Sequence, residues 1–238
     1  MRRRKRPLLL FLAATEGELA PLRMMLHGRH PGYEALFAVT GAGKACAACT
    51  ATLAFASLQP DLGLLVGCAG ALPGSGLDVG DVVVATRECF GDEGVETRAG
   101  FLDLRHLMLP VARRGGRTYY NEVPVARPAR GSIERFNRRS GGLFAVRQGP
   151  LVTVSTCSGT PSRAAAIERR SGALAESMEG AAVALAALLL DRRLIEVRGI
   201  SNQTGRRDRE SWDIPAACRN AAEAILWIAE GEAVGSKR

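Results

Sequence analysis

Short apolar runs alternate with longer helical stretches along most of the chain, and nothing else in the sequence constrains the fold as strongly. The runs Leu8–Ala14, Ala35–Thr40, Leu62–Cys68, the VVVAT that follows Gly80-Asp81, Pro150–Thr156 and Ile195–Ser201 all have strand length. Several are almost unbroken by polar residues, which is the pattern of strands covered on both faces. Between them, Glu18–Leu26, Lys44–Leu58, Ser132–Arg139 and segments starting at Ser162, Glu179 and Pro215 read as helices, with a short strand near Leu174–Met178. The stretch Arg87–Val125 reads as irregular, and long loops of that kind in a compact domain usually serve a site. The alternation predicts an α/β chain with a largely buried sheet.

A chain of 238 residues suffices for one large α/β domain. The expected organisation is a basic tail over 1–7 and one domain over 8–238. MRRRKRP followed by LLLFLAA has the outline of a signal peptide, but charged TEGE follows at once and no small-residue cleavage site stands out. A buried first strand behind a basic tail is the reading adopted. No run approaches the ~20 apolar residues of a membrane span, so no membrane partner is expected. The formal charge of +8 is spread over scattered Arg residues, dense only at Arg2–Arg6, with few aromatics among them. That argues against a nucleic-acid partner. Cys46 and Cys49 form a C-x-x-C inside a small-residue helix, and no second pair or His cluster completes a zinc site. No metal or cofactor is implied, and the six cysteines fit reduced thiols in the cytoplasm.

In open α/β sheets a ligand sits beyond the carboxyl ends of the strands. Here those ends are TEGE, TGAGK, GCAGA, STCSGT, SMEG and RGISN, and six such turns can converge on one pocket. GAGK is no phosphate loop, because Ala38 and Ala45 occupy the positions where that motif needs Gly and Ser or Thr. Gly41 and Gly43 are followed by Cys46, so no G-x-G-x-x-G is present either. Glu179 poses the sharpest question. A carboxylate opening the run AAVALAALLL either answers the positive end of a helix or holds a ligand.

Taken together and in order, AATEGELAPL, TGAGKACAA, LLVGCAGAL, DVGDVVVA, ESMEGAAVA and RGISN resemble the purine nucleosidase/phosphorylase superfamily from about residue 8 to residue 230. The likeness is to its methylthioadenosine nucleosidases and futalosine hydrolases, and RGISNQTGRRDRESWDIPAA looks most like the latter. The resemblance implies the three-layer nucleoside phosphorylase fold, a central mixed sheet flanked by helices. It implies cleavage of an N-glycosidic bond through an oxocarbenium-like transition state. For futalosine, the products would be hypoxanthine and dehypoxanthinyl futalosine on a route to menaquinone. By the same resemblance Glu179 accepts from the ribose 2′ and 3′ hydroxyls while Met178 packs on the sugar. Glu18 is the water-activating base, with Glu16 as the alternative, and Arg198 helps to hold the water. Cys68 replaces a Ser of the methylthioadenosine enzymes, beside Ala69 and Gly70. Thr156, Cys157 and Ser158 border the base.

Asn202 stands where adenine-specific enzymes carry Asp. An amide donates to N7 or O6 but gives no proton, which suits a 6-oxopurine. Leu65 and TEGELAP replace the anion-binding Arg and the G-D-P-x-R-A of the phosphorylases, so hydrolysis is expected. By the resemblance, Trp212 is the candidate to stack on the 5′ aromatic ring of futalosine, with Arg207, Arg209 or Arg105 as candidates to pair with its carboxylate. A homodimer or larger homo-oligomer is implied. The alternatives are an adenine nucleosidase, an inosine-type phosphorylase and a non-catalytic nucleotide-binding module. Asn202, the missing Arg residues and the paired Glu18 and Glu179 argue against them in turn.

Overall fold

A computed structural model describes residues 6–29 and 31–235; Arg2–Lys5 of the expected basic tail lie outside the described residues. The chain opens with β1 (Leu8–Ala13), α1 (Glu16–Leu26), β2 (Glu34–Val39), α2 (Lys44–Leu58) and β3 (Leu62–Ala71). Next come β4 (Val82–Phe90), β5 (Gly94–Thr97), β6 (Gly100–Asp103), β7 (Ala112–Arg114), β8 (Arg117–Tyr119) and β9 (Glu122–Pro124). The remainder is α3 (Ser132–Arg139), β10 (Val146–Thr153), α4 (Pro161–Ser171), β11 (Ala175–Ser177), α5 (Gly180–Leu189), β12 (Leu194–Gln203) and α6 (Ile214–Gly235).

The main sheet runs β11-β10-β4-β12-β3-β1-β2, with β9 added to β4. It is mixed: β1 is parallel to β2 and β3, whereas β12 is parallel to β3 and antiparallel to β4. Every residue of β1 is buried, as its unbroken apolar run requires. Alternation along β1 feeds both faces. Leu9 and Phe11 join Leu19 and Leu22 of α1 and Ile225 and Ile228 of α6 on one side. Leu10 and Leu12 join Ala47, Ala51 and Phe55 of α2 and Val183 of α5 on the other. Helices on both faces of a mixed sheet make the expected three layers.

The sheet also closes on itself, because β11 pairs with β10 and, antiparallel, with β3. The inside of that closure holds Ala69, Ala71, Val83, Ala85, Leu151, Ala175 and Ile200. Small residues at these points let the strands curl tightly around a narrow interior.

The structure moves several element boundaries. β10 starts at Val146 rather than Pro150, because polar Arg147 and Gln148 face outward and Pro150 falls where the pairing with β4 slips between Gly149 and Leu151. A strand Pro is tolerated at such a bulge. α1 starts at Glu16, two residues before the sequence-based start, because Thr15 caps it: Thr15 Oγ1 accepts from the Glu18 amide while the Glu18 carboxylate accepts from the Thr15 amide. β3 continues three residues past Cys68, and α5 begins at Gly180 with Glu179 as its N-cap. The region read as irregular contains the β5–β6 and β7–β8 hairpins and β9. Strands of three or four residues are too short to print a period-two pattern.

Candidate active site

The ends of β1, β3, β11 and β12 and the loop after β10 surround one cavity of about 360 Å³, within the range of small-molecule sites. Of the residues expected from the sequence, Glu18, Cys68, Ala69, Gly70, Cys157, Ser158, Met178, Glu179, Asn202 and Trp212 all line it. Two do not. Thr156 is exposed, and its carbonyl accepts from the Arg163 guanidinium at 2.9 Å. Arg198 is fully buried beneath the floor. Glu16 is exposed on α1 and pairs with Arg23 at 3.6 Å, so of the two acids in TEGE only Glu18 faces the cavity.

The floor is built of acids and one guanidinium. Glu18 is fixed from both sides. Its Oε2 accepts from the Thr15 amide at 3.0 Å and the Thr15 hydroxyl at 3.1 Å, and its Oε1 accepts from the Cys68 amide at 3.0 Å. Glu179 does not cap its own helix with its side chain. Its Oε1 instead accepts from the Gly43 amide at 2.9 Å, and its Oε2 lies 3.5 Å from Arg198 Nη1. The TGAGK turn therefore presents a backbone N–H to a carboxylate of α5. Arg198 Nε donates to Glu196 Oε1 at 2.8 Å, and Nη1 reaches the Cys68 carbonyl at 3.4 Å. Burial opposes the charge on Arg198, but Glu196, Glu179 and Glu18 together hold its pKa above the ordinary arginine value. Gly67 makes this packing possible, since a Cβ there would meet Glu18 Oε1 and, at 2.7 Å, Arg198 Nη1.

Two thiols meet beside the floor. A hydrogen bond with the buried Cys218 thiol of α6 lowers the Cys68 pKa, against burial and the charge of Glu18, and raises that of Cys218. Cys68 thus has a thiol for a neighbour and faces the cavity with its sulfur already engaged.

Under the loop after β10 a third acid appears. Glu176 on β11 is buried, accepts from the Ser158 amide at 2.7 Å and from the Ser158 hydroxyl at 2.7 Å, and has its pKa raised by burial. It ties the STCSGT loop to the sheet. Asn202 follows a slip in the β12–β3 register between Ile200 and Asn202, the kind of bulge that re-aims a side chain at a site. Its Oδ1 accepts from the Ser201 hydroxyl at 2.8 Å and its Nδ2 donates to the Gln203 carbonyl at 3.1 Å. One amide N–H stays available.

The mouth is basic and aromatic. Arg206, Arg207, Trp212 and Ile214 line it, with the Arg207 guanidinium 5.8 Å from the Trp212 ring centroid. The Trp212 indole N–H is buried and has no partner among the described residues. Arg105 instead stacks on Tyr120 at 4.8 Å, and neither it nor Arg209 lines the cavity.

Sequence reasoning missed Glu176, Glu196 and Glu88. Glu176 stood in view as the first letter of ESMEG, three residues before Glu179. Glu196 carried a fainter signal, a charged residue in a run read as a buried strand. Glu88 fell inside the region read as irregular, where no burial was expected.

A family model described as the phosphorylase superfamily matches residues 13–230. Among curated proteins, the chain is 38% identical over 183 residues to the futalosine hydrolase of Acidothermus cellulolyticus, covering 73% of this chain and 70% of that protein. It is 36% identical over 187 residues to the futalosine hydrolase of Thermus thermophilus, covering 78% and 77% respectively. Among solved structures, a mutant futalosine hydrolase of Helicobacter pylori superposes with a TM-score of 0.78 at 17% identity, covering 94% of this chain and 99% of that one.

Proposed function

The chain belongs to the phosphorylase superfamily, and on that premise we propose that it is a futalosine hydrolase, an N-glycosyl hydrolase releasing hypoxanthine and dehypoxanthinyl futalosine. The observation that carries the reading is the meeting of Glu18, Glu179 and Asn202 in one cavity, joined to relatives that share more than a third of their aligned residues with this chain.

Glu179 keeps acceptor positions free for two ribose hydroxyls after binding Gly43 and Arg198. Those charge-assisted bonds strengthen as the sugar becomes cationic, so they favour the transition state over the bound substrate. Met178 packs on the sugar. Glu18 accepts three hydrogen bonds, and a carboxylate has about four acceptor positions. The position left takes a proton from water as the water adds to the anomeric carbon and the C–N bond breaks. Asn202 donates its remaining N–H to N7 or O6 of the departing base and stabilises the charge developing there.

Arg198 supports hydrolysis over phosphorolysis. Its charge is already met by Glu196 at 2.8 Å and Glu179 at 3.5 Å, which leaves little to attract a phosphate. The carboxylates of Glu18 and Glu179 would repel one. The reading extends to Arg207 and Trp212 as the receptor for the 5′ aromatic carboxylate, and to a homodimer or larger homo-oligomer in the cytoplasm needing no cofactor. No helix among the described residues is long and apolar enough to cross a membrane.

The test is to incubate the protein with futalosine, inosine and methylthioadenosine, with and without phosphate, and to separate the free bases by chromatography. Phosphate-independent hypoxanthine release, fastest from futalosine, is expected. Adenine release at a comparable rate, or turnover only with phosphate, overturns the reading.

A further inference from the structure

Beneath the cavity lies a carboxyl pair that the reaction above does not use. Glu88 of β4 and Glu196 of β12 are both fully buried. Glu88 Oε2 accepts from the Thr153 hydroxyl at 2.8 Å, and Thr153 Oγ1 in turn accepts from the Ala181 amide, the first turn of α5, at 2.7 Å. Glu196 Oε1 takes the Arg198 Nε–H at 2.8 Å. The remaining oxygens, Glu88 Oε1 and Glu196 Oε2, have no partner among the described residues. Both carboxyl groups press on the same point. A methyl group on Gly180 would collide with the Oε1 of each, so only glycine fits between the pair and the start of α5.

Two carboxylates buried side by side beside a single guanidinium do not both ionise. Burial and the charge of Glu196 hold Glu88 well above the ordinary carboxylate range. Glu88 also has the better claim to a proton by position, because Glu196 alone contacts the guanidinium. A line of contacts then runs from the α5 amide through Thr153 to Glu88, which meets Glu196 beside Gly180, and on from Glu196 to Arg198 and from Arg198 Nη1 to Glu179 at the cavity.

We propose that Glu88, carrying one proton, and Glu196, ion-paired with Arg198, form a clamp that positions Arg198 and through it the sugar-binding Glu179. Glu88 and Glu196 touch no substrate; they are positioning residues for the reaction proposed above, and the inference rests on that reading for its kinetic arm only.

The clamp makes the two acids unequal under the same substitution. Glutamine copies a protonated carboxyl in shape and donor capacity but cannot carry charge. Glu88→Gln is expected to keep kcat within about twofold of the natural protein. Glu196→Gln should lower kcat by about 10–100-fold, the scale of a small misplacement at a catalytic group, with a smaller change in KM, because Glu179 acts most strongly in the transition state. Glu88→Leu, which has the volume but no donor, should fall with Glu196→Gln. Two observations need no substrate. The infrared C=O stretch of a protonated carboxyl at neutral pH should vanish in Glu88→Gln and persist in Glu196→Gln. The Arg198 Nε–H resonance in ¹⁵N NMR should stay protected from exchange in Glu88→Gln and lose protection in Glu196→Gln. Equal kinetics for the two Gln variants, or loss of the infrared band from neither, overturns the proposal. If the natural protein releases no base from any nucleoside, the function fails, and the spectroscopic results still decide the clamp.

Discussion

The cavity has two unlike ends. At the floor, Glu18, Glu179 and Arg198 are almost wholly buried; both acids accept from backbone amides, and Arg198 pairs with Glu179 and Glu196. At the mouth, Arg206 and Arg207 are exposed and form no ion pair among the described residues, and the Trp212 indole N–H has no partner. For the reaction proposed above, a floor arranged in this way would need little reorganisation as charge develops. The mouth has donors waiting and few internal bonds to break, as expected where a ligand completes the network. On the proposed reading the strands and helix ends carry the chemistry and, through Asn202 of β12, the choice of base, whereas the loop between β12 and α6 meets the 5′ substituent.

If that contrast is right, the largest effect should come from the floor's one cation. Arg198→Met leaves Glu179, Glu196 and Glu18 without their common partner. Removing one member of a buried pair costs about 3–5 kcal/mol, so thermal unfolding should shift sharply downward and base release should vanish. A stable, active Arg198→Met protein would show that the floor is not an interdependent unit. Next in size is Glu18→Gln. Loss of a general base lowers rate by about 10²–10⁴-fold, and here kcat should fall while substrate binding holds. A change confined to KM would move Glu18 from the water to the ligand-binding surface.

These two residues also show what could be read before any fold was known. β1 and α2 were legible because an unbroken apolar run and a small-residue helix state their burial directly. Glu18 and Glu179 were legible only through the resemblance of TEGE and ESMEG to the superfamily's motifs, since an acid opening a helix is by itself ordinary. The bond from Gly43 to Glu179 was not, because it joins residues far apart in the chain through a backbone amide. Nor was the clamp, whose members lie on three strands: Glu88 on β4, Thr153 on β10 and Glu196 on β12. Only the sheet order, with β4 between β10 and β12, makes them neighbours. Arg198 was named from its motif, but its burial under the floor and its pairing with Glu196 and Glu179 were not legible.

The mouth should respond more mildly and in binding. Trp212→Ala is expected to raise KM for futalosine about tenfold, or roughly 1.4 kcal/mol, with kcat and thermal stability nearly unchanged. Arg207→Ala should weaken futalosine by about 1.5–3 kcal/mol if it bonds the carboxylate, while inosine, which lacks that group, should be unaffected. Equal losses for both substrates would make the mouth part of the general scaffold rather than a reader of the 5′ substituent.

The effect smallest per pH unit separates floor from mouth by pH. Glu88 has a folded pKa raised well above 4.5 by burial and by Glu196. As pH rises past the unfolded value, the unfolded chain releases this proton and the folded chain keeps it. The unfolded state then binds fewer protons, so stability falls with rising pH until the folded group titrates too, by at most about 1.4 kcal/mol per pH unit for one proton. Glu88→Gln cannot titrate at this position and should lose that part of the slope, while Arg207→Ala and Trp212→Ala should keep it. Chemical denaturation of the four proteins from just above pH 4.5 to neutrality would measure it. Parallel curves for Glu88→Gln and the natural protein would mean that Glu88 gives up its proton at the same pH folded and unfolded, and the proton that the Glu88–Glu196 pair requires would then be missing at neutral pH.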